Sequence, residues 1–354
     1  MKKGKVLLGM SGGTDSSVSA ILLKEQGYEV LGCTFIFYDH GEAQKEEFEE
    51  INELAKRLNI NHVFVDLTKE FKSVVLDYFV STFQKGKTPF PCAVCNPEVK
   101  WKNLLIQANL HGCDFIATGH YVRNIEHNSF FYIHSGIDPD KDQSFFLWGL
   151  NQDVLSRAIF PLGNLTKTEV RKIAKEKGFN RLSIKKDSLG VCFIKGNNYR
   201  DFLANELEKK GNKTEPGNFV DTSGEILGRH RGIPFYTVGQ RRGLGIHLNR
   251  PVFISELRPE TNEIVLAEFA DLFKNGAIIQ NYFFVNPKEI DSEKFFFVKI
   301  RYRNQLTPVK IQIINNQRLI INFLEPLESI APGQTAVFYD GERVVGGGFI
   351  ESAG

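Results

Sequence analysis

The stretch Ser11-Gly12-Gly13-Thr14-Asp15-Ser16-Ser17 decides how the N-terminal part of the chain folds. It follows the apolar run Val6-Leu7-Leu8-Gly9-Met10, which predicts a buried strand, and it precedes Val18, Ile21 and Leu22, which recur at helical spacing. A helix that begins at a glycine-rich turn presents unpaired backbone N–H groups and a favourable dipole to an anion. The stretch therefore predicts a phosphate-binding loop between a strand and a helix.

The residue types within this loop suit a bound phosphate. Glycine lets the backbone approach phosphate oxygens, and the hydroxyls of Ser11, Ser16 and Ser17 are further donors. Asp15 cannot bind a phosphate directly, which suggests that it holds Mg²⁺. The alternative is an ordinary helix cap, with Asp15 or Ser16 in the capping position. The complete heptapeptide directly after a strand favours the phosphate loop.

The loop is not a Walker motif, because no Gly-Lys-Ser/Thr ends it. It resembles the PP-loop of the ATP pyrophosphatases, which cleave ATP between the α- and β-phosphates to adenylate a carbonyl or carboxylate oxygen. The resemblance implies ATP as a substrate. At this point the relatives that stay open are the synthetases of GMP, NAD and argininosuccinate and the tRNA-modifying enzymes.

The order of apolar runs predicts an α/β fold with a parallel sheet, followed by two β-rich parts. Strand-like runs at 30–37, 62–66 and 115–118 alternate with helix-like segments at 43–58 and 166–177. Further on, the pattern becomes glycine-rich and then alternating, which predicts a small closed barrel or sandwich at the end. We expect three domains, at 1–195, 196–267 and 268–354.

Composition and charge set limits on cellular setting and partners. The 354 residues carry 44 Lys and Arg against 42 Asp and Glu, so any basic surface for nucleic acid must be local. The first apolar run is too short for a signal or membrane segment. Five sparsely placed cysteines favour a reducing compartment over a disulfide-bonded fold. We expect a cytoplasmic protein without a membrane partner.

The cysteines are the next candidates for chemistry. Cys92 and Cys95 form a CxxC pair, but structural zinc needs four ligands and the sequence has no second CxxC or CxxH. Cys192 with a histidine is the alternative that would complete such a site. A reactive cysteine instead needs a cation or a helix N-terminus to lower its pKa. Cys95 has both candidates, since a helix is expected to begin near Pro97 and to carry Lys100. The far downstream Cys192 has as sequence neighbours Lys185, Lys186 and Lys195.

Further segments occur in order along the chain: TPFPCAVCN (88–96), ATGHY (117–121), KDQSFFLWGL (141–150), GVCFI (190–194) and TVGQRRGLGI (237–246). Together with the SGGTDSS loop, they resemble the tRNA-specific 2-thiouridylases over nearly the whole chain. That family makes 2-thiouridine at the wobble position of the tRNAs for Lys, Glu and Gln. The GVCFI cysteine and the GQRRGLGI segment separate it from the other PP-loop groups.

This resemblance implies a role for each matching residue. Cys95 matches the nucleophile and Cys192 the persulfide carrier, and the two are expected to form a disulfide after turnover. The expected ATP contacts are Gly9, Met10, Ser11, Gly12, Gly13, Thr14, Asp15, Ser16, Phe35 and Gly119. The expected tRNA contacts are Phe90, Pro91, Cys92, His120, Lys141, Asp142, Gln143, Arg301, Tyr302 and Gln334, with a tRNA-binding central domain. The sulfur is expected from a persulfide donor such as a cysteine desulfurase or a relay protein.

The chain departs from the family pattern at one place. Family members often read Asn-Pro-Asp or Asn-Pro-Cys where this chain has Phe90-Pro91-Cys92, a stretch expected to border the target base. The choice of Cys95 as nucleophile therefore depends on alignment to the second cysteine of the pair. Two routes stay open: a Cys192 persulfide attacks C2 of uridine directly, or Cys95 first releases hydrosulfide that attacks.

Two other functions are alternatives to tRNA thiolation. A PP-loop synthetase or ligase that acts on a small molecule would give the Cys192 segment no purpose. A non-catalytic tRNA-binding protein would bind tRNA without releasing pyrophosphate. Taken one residue at a time, a structural role also competes with RNA contact for His120, for Lys141-Asp142-Gln143 and for Arg301-Tyr302.

Overall fold

The computed structural model describes residues 3–38, 41–185, 190–194 and 198–354. The chain divides into two compact units. The first contains Met1–Val74, Cys92–Phe193 and Glu342–Val345, and the second contains Val75–Pro91, Ile194–Gly341 and Gly346–Gly354. The expected three-domain division stays a prediction.

The strands, in chain order, are β1 (Lys5–Gly9), β2 (Glu29–Ile36), β3 (Asn61–Asp66), β4 (Phe115–Thr118), β5 (Val122–His127), β6 (Phe130–Ser135), β7 (Ala158–Ile159), β8 (Gly217–Val220), β9 (Ile226–His230), β10 (Phe253–Arg258), β11 (Glu263–Ala267), β12 (Phe273–Phe284), β13 (Phe295–Lys299), β14 (Thr307–Asn315), β15 (Arg318–Glu328), β16 (Thr335–Asp340) and β17 (Arg343–Ala353). The helices are α1 (Thr14–Glu25), α2 (Glu42–Leu58), α3 (Thr68–Phe71), α4 (Asp77–Gln84), α5 (Pro91–Cys95), α6 (Lys102–Leu110), α7 (Gln152–Leu155), α8 (Lys167–Glu176), α9 (Asn180–Ile184) and α10 (Tyr199–Lys209). Two π-helical turns, Lys72–Leu76 and Asn96–Trp101, join α3 to α4 and α5 to α6.

The first unit is built on a parallel sheet in the order β3-β2-β1-β4-β7. The central strand β1 is apolar because both of its faces are covered: Val6, Leu7 and Leu8 are completely buried. Val6 and Leu8 share a buried cluster with Val18 of α1 and Val170 of α8. This sheet confirms the predicted α/β fold and places the β1–α1 loop at the carboxyl edge.

The second unit contains two β structures. In the smaller one, strands β8 to β11 form a sheet in the order β10-β11-β8-β9. In the larger one, six strands run in the order β12-β15-β14-β13-β16-β17, and pairing of β12 with β17 closes them into a barrel. Closure leaves these strands without an open edge, which confirms the predicted C-terminal barrel.

One predicted helix boundary is wrong. The helical segment that carries Cys95 begins at Pro91 rather than near Pro97. Proline is tolerated at a first helical position because its missing N–H would be unpaired there anyway. Pro97 then falls in the π-helical turn, where the regular hydrogen-bond ladder is already interrupted. Cys95 therefore lies inside a helical segment and not ahead of a helix N-terminus.

None of the helices within the described ranges is both long enough and apolar enough to cross a membrane.

Candidate active site

The loop between β1 and α1 has no side-chain cap. Gly13 occupies the N-cap position of α1, and no side chain makes a capping hydrogen bond there. The hydroxyls of Ser16 and Ser17 donate instead to the Gly13 carbonyl oxygen, at 3.2 and 2.7 Å. The alternative in which Asp15 or Ser16 caps the helix is therefore wrong. The helix keeps a glycine-bordered N-terminus of the kind that binds phosphate.

Three strands of the parallel sheet end beside this loop. Gly9 ends β1, Phe35 lies near the end of β2, and Gly119 directly follows β4. Parallel neighbouring strands place their carboxyl ends at one edge of the sheet, where such folds bind ligands. The side chain of Met10 is buried, its N–H donates to the Cys33 carbonyl and its carbonyl accepts from the Thr34 hydroxyl, so an ATP contact by Met10 stays a prediction. The structure thus brings the expected ATP-contact residues together.

Gly119 makes a close approach that only glycine allows. A Cβ atom there would lie 2.9 Å from the Asp15 carbonyl carbon and 3.0 Å from the Ser16 backbone nitrogen. Gly119→Ala should displace the loop at a cost of about 1–3 kcal/mol, which weakens ATP binding by roughly five- to 150-fold. Calorimetric titration of the full chain with ATP measures this. The control is Gly149→Ala, whose Cβ would meet only the Pro97 side chain, with Cγ at 3.4 Å and Cβ at 3.8 Å. Equal ATP affinity in both variants would contradict the prediction.

Asp15 forms an ion pair with Lys167, which is distant from it in sequence. The Lys167 ammonium lies 2.8 and 2.9 Å from the two carboxylate oxygens of Asp15, and the Tyr121 hydroxyl donates to one of them at 2.7 Å. The Lys167 side chain is only 10% exposed, against 33% for Asp15. Lys167 is the first residue of α8, whose start is fixed by a capping box of Thr166 and Glu169. A buried cation therefore stands beside the phosphate loop.

This arrangement does not fit a magnesium ion bound by Asp15. Both oxygens of its carboxylate already face an ammonium group, which neutralises the charge that a cation would need. The described ranges also contain no group of three or more His, Cys, Asp or Glu side chains that could hold a metal. Asp15 as a magnesium ligand stays a prediction that the geometry does not support.

Cys92, Cys95 and Cys192 are brought together in the first unit, although they are distant in sequence. The Cys192 thiol interacts electrostatically with those of Cys92 and Cys95. Cys95 is buried, Cys92 is half-buried and Cys192 is exposed. Phe193, next to Cys192, is buried and packs its ring on Phe71, with ring centroids 5.6 Å apart. These three cysteines, which we call the thiol cluster, carry the expected nucleophile and persulfide carrier.

The thiol cluster has raised rather than lowered pKa values. Burial raises the pKa of Cys95 to about 12 and that of Cys92 to about 11. Loss of hydration also raises the pKa of Cys192, although this residue reaches solvent. The Lys100 ammonium opposes the shift at each of the three thiols. The expected cation is confirmed for Cys95, but the expected helix N-terminus is absent there and burial dominates.

Removal of the Lys100 charge should make the thiol cluster less reactive. Lys100→Met raises the three thiol pKa values further, and each added pKa unit lowers the thiolate fraction about tenfold. Alkylation by iodoacetamide at pH 8, followed peptide by peptide, measures the rate at each cysteine. The control is Lys102→Met, because Lys102 is more than half exposed and pairs with Glu70. Equal alkylation of Cys95 in both variants would refute the role of Lys100.

His120 lies close to the same cation. Burial, with a smaller contribution from Lys100, lowers the pKa of His120 to about 3. Its Nδ1 atom lies 2.6 Å from the Thr118 hydroxyl oxygen, and its ring stacks near Trp101. His120 is therefore neutral at physiological pH. It can offer a hydrogen bond to RNA but not a positive charge.

In the segment Lys141-Asp142-Gln143, the side chains of Asp142 and Gln143 form hydrogen bonds with other residues of the first unit. The buried Asp142 carboxylate accepts hydrogen bonds from the backbone of Gly136 and from the backbone and hydroxyl of Ser144. The Gln143 side-chain oxygen accepts from the Tyr121 N–H at 3.0 Å. Asp142 and Gln143 thus shape this turn. Their contact with tRNA stays a prediction, as does that of the half-buried Lys141.

The other expected tRNA residues belong to the second unit, apart from Cys92. The Gln334 amide donates to the carbonyl oxygens of Thr88 and Pro89, the two residues that directly precede Phe90. Arg301 donates to the Ser329 carbonyl at 2.6 Å, and Gly239 of the TVGQRRGLGI segment lies beside both. Tyr302 is half-buried. The unit therefore groups Gln334 with the Phe90 segment and Arg301 with the Gly239 segment.

Sequence reasoning missed Lys167 and gave Tyr121 no role of its own. The available signal was weak: Lys167 is the first helical residue after a capping threonine, and Tyr121 ends the ATGHY segment. Neither fact reveals a partner 152 positions away in the chain. Lys185 donates to the Gly12 carbonyl at 3.2 Å, whereas Lys186 and Lys195 lie outside the described residues.

Comparison with known domain families accounts for most of the chain. Residues 4–196 match the tRNA methyl transferase HUP domain. Residues 200–268 match the tRNA methyl transferase PRC-barrel domain, and residues 274–350 match the aminomethyltransferase beta-barrel domain. A solved 4-thiouridine synthetase in complex with RNA and bound ATP is 22% identical over 58% of this chain and 50% of its own, with a TM-score of 0.35. That similarity is too distant to support a functional conclusion.

Curated relatives are much closer and span the whole chain. The tRNA-specific 2-thiouridylase MnmA 2 of Phocaeicola vulgatus is 46% identical over 98% of this chain and 97% of its own length. The tRNA-specific 2-thiouridylase MnmA 1 of Bacteroides fragilis is 46% identical over 99% and 98%, and that of Cytophaga hutchinsonii is 42% identical over the same shares. The protein therefore belongs to the tRNA-specific 2-thiouridylase family.

Proposed function

We propose that this protein is a tRNA-uridine 2-sulfurtransferase that uses ATP to replace the C2 oxygen of a wobble uridine with sulfur. The observation that carries the proposal is the thiol cluster around Lys100, formed in the same unit as the phosphate loop. A small-molecule synthetase has no need for these cysteines, and a binding protein has no need for the loop. The family relationship supports the same choice.

The first step is activation of the uridine carbonyl. Oxygen at C2 is a poor leaving group, so its attack on the α-phosphate of ATP, with loss of pyrophosphate, turns it into part of AMP. Backbone N–H groups of the loop and the nearby Lys167 ammonium are suited to the charge on the departing pyrophosphate. The ATP contacts proposed are Gly9 to Ser16, Phe35 and Gly119.

The second step is sulfur transfer at the thiol cluster. A persulfide on Cys192 supplies the sulfur atom, and Cys192 suits this task because it reaches solvent, where a persulfide donor gains access. The buried Cys95 attacks the sulfur of Cys192 that is bonded to its Cβ, which releases the outer sulfur to C2 and leaves a Cys95–Cys192 disulfide. AMP departs with the original oxygen. Direct attack of the persulfide on C2 ends in the same products.

The substrates and setting are part of the proposal. The tRNAs are those for Lys, Glu and Gln, the donor is a cysteine desulfurase or a relay protein, and the compartment is the cytoplasm. The central part of the chain and the residues Phe90, Pro91, Cys92, His120, Lys141, Asp142, Gln143, Arg301, Tyr302 and Gln334 are proposed to contact tRNA. The HUP-domain description names methyl transfer, but the thiol cluster favours sulfur as the group transferred.

Pyrophosphate release with and without tRNA tests this function. The full chain, with ATP and a wobble-unmodified tRNA for Glu, should release pyrophosphate and AMP in equal amounts, and neither without tRNA. A tRNA of the same length with cytidine at the wobble position is the control. Release that does not depend on tRNA would favour a small-molecule synthetase. Binding of tRNA with no release at all would favour a non-catalytic RNA-binding protein.

A further inference from the structure

Cys92 has no chemical task in the reaction as proposed, yet it belongs to the thiol cluster. It stands three residues before Cys95 within α5, so the two side chains lie one helical turn apart on the same face. Residues at this spacing have Cβ atoms about 5–6 Å apart, so a small adjustment brings their sulfur atoms to bonding distance. Cys92 is half-buried, which leaves it more accessible than Cys95.

Cys192 completes the arrangement from another part of the chain. Its thiol interacts with both cysteines of the pair, and its position is fixed by the buried Phe193 ring packed on Phe71. The Lys100 ammonium adds a positive charge near its sulfur. This charge favours the Cys192 thiolate, but it does not overcome burial, which raises the pKa of Cys192.

We propose that Cys92 is a resolving thiol, which frees Cys192 after each sulfur transfer. The Cys92 thiolate attacks Sγ of Cys95 in the Cys95–Cys192 disulfide. A Cys92–Cys95 bond forms, the Cys95–Cys192 bond breaks, and its electron pair leaves on Cys192. One disulfide replaces another, so no oxidant or reductant is consumed in this step. The proton of Cys92 passes to solvent or to the Cys192 thiolate.

The exchange has a consequence for the catalytic cycle. Cys192 becomes a free thiol that can accept a new sulfur atom from the donor. Cys92 and Cys95 stay joined by a disulfide in α5. An external dithiol then reduces the Cys92–Cys95 disulfide with two electrons, and the half-buried Cys92 is the sulfur that it meets. Reloading and reduction thus take place on different cysteines. This inference rests on the proposed function, since the first disulfide arises from sulfur transfer.

The position of the disulfide after one turnover tests the proposal. The full chain is loaded with persulfide by a cysteine desulfurase and cysteine, freed of both, and mixed with ATP and unmodified tRNA for Glu without reductant. After a quench with iodoacetamide, trypsin yields peptide 88–100, which holds Cys92 and Cys95, and peptide 187–195, which holds Cys192. Mass spectrometry separates an internal disulfide in 88–100 from a cross-link between the two peptides.

The wild-type chain should show the internal disulfide and an alkylated Cys192. Cys92→Ser should lose the internal disulfide and gain the cross-link several-fold per 2-thiouridine formed, a ratio that cancels any change in base contact. Cys113→Ser, which removes a thiol outside the cluster, should match wild type. A wild-type chain that accumulates only the cross-link overturns the proposal, whether or not Cys92→Ser folds. Absence of 2-thiouridine in the wild-type reaction would instead count against the proposed function.

Discussion

Replacement of Cys192 by serine should abolish 2-thiouridine formation while tRNA-dependent pyrophosphate release continues. The serine hydroxyl is close in size to the thiol but cannot carry a persulfide, so sulfur does not reach the activated uridine. The proposal assigns ATP activation to the β1–α1 loop and Lys167, and gives Cys192 no part in that step. Nucleoside mass spectrometry of the tRNA and a pyrophosphate assay on the same reaction measure the two steps separately.

The matched control for this variant is Cys113→Ser. Cys113 is buried outside the thiol cluster, beside Lys5, Asp114 and Arg157, so its replacement should leave 2-thiouridine formation intact. If Cys192→Ser kept more than a trace of sulfur transfer with a protein persulfide donor, the role of Cys192 as carrier would be wrong.

Replacement of Lys167 by methionine should weaken ATP binding by roughly ten- to 150-fold, because a hydrogen bond to a charged group contributes about 1.5–3 kcal/mol. Methionine keeps the length of the side chain but removes the ammonium that stands beside the loop. It also leaves the Asp15 carboxylate without its cation, and the unpaired negative charge repels phosphate. Calorimetric titration with ATP, and with adenosine as the ligand that lacks phosphates, measures the effect.

Two comparisons separate a phosphate contact from a general loss of structure. Lys172→Met lies on the same helix, and because Lys172 is 73% exposed, its loss should leave ATP affinity unchanged. Adenosine affinity should stay equal in wild type and Lys167→Met, since the proposed contacts of the sugar and base are Phe35 near the end of β2 and Gly119 after β4. An equal loss of ATP and adenosine binding would contradict the phosphate role of Lys167.

Much of the fold was predictable because its signals are local. The alternation of apolar runs predicts the parallel strands β1 to β4, and the alternating pattern at the end of the chain predicts the C-terminal barrel. The start of α5 was not predictable from Pro97, because a proline can mark either the start of a helix or an interruption within one. Here Pro91 begins the helical segment and Pro97 lies in the π-helical turn. The β5–β6 hairpin carries no strong turn motif in the sequence, and its Asn128 and Ser129 adopt positive φ angles.

The parts of the site formed by one continuous segment were predictable from the sequence, whereas the contacts between distant segments were not. The loop at 11–17 is one continuous segment, and its position after β1 follows from the sequence. The Asp15–Lys167 ion pair joins the ends of two helices that only the folded sheet brings together, so the sequence suggested magnesium instead. The pKa of Cys95 is likewise set by burial, which sequence neighbours such as Lys100 do not reveal.

The most direct test of the central claim is mass analysis of the nucleosides of a single tRNA after reaction with the purified full chain. Unmodified tRNA for Glu, ATP and a cysteine desulfurase that delivers ³⁴S-labelled sulfur are supplied, and the wobble nucleoside is isolated. Sulfur transfer at C2 predicts a labelled 2-thiouridine at that position, dependent on ATP and on Cys192. A wobble uridine that stays free of label, with a donor that loads Cys192 with sulfur, would contradict the claim.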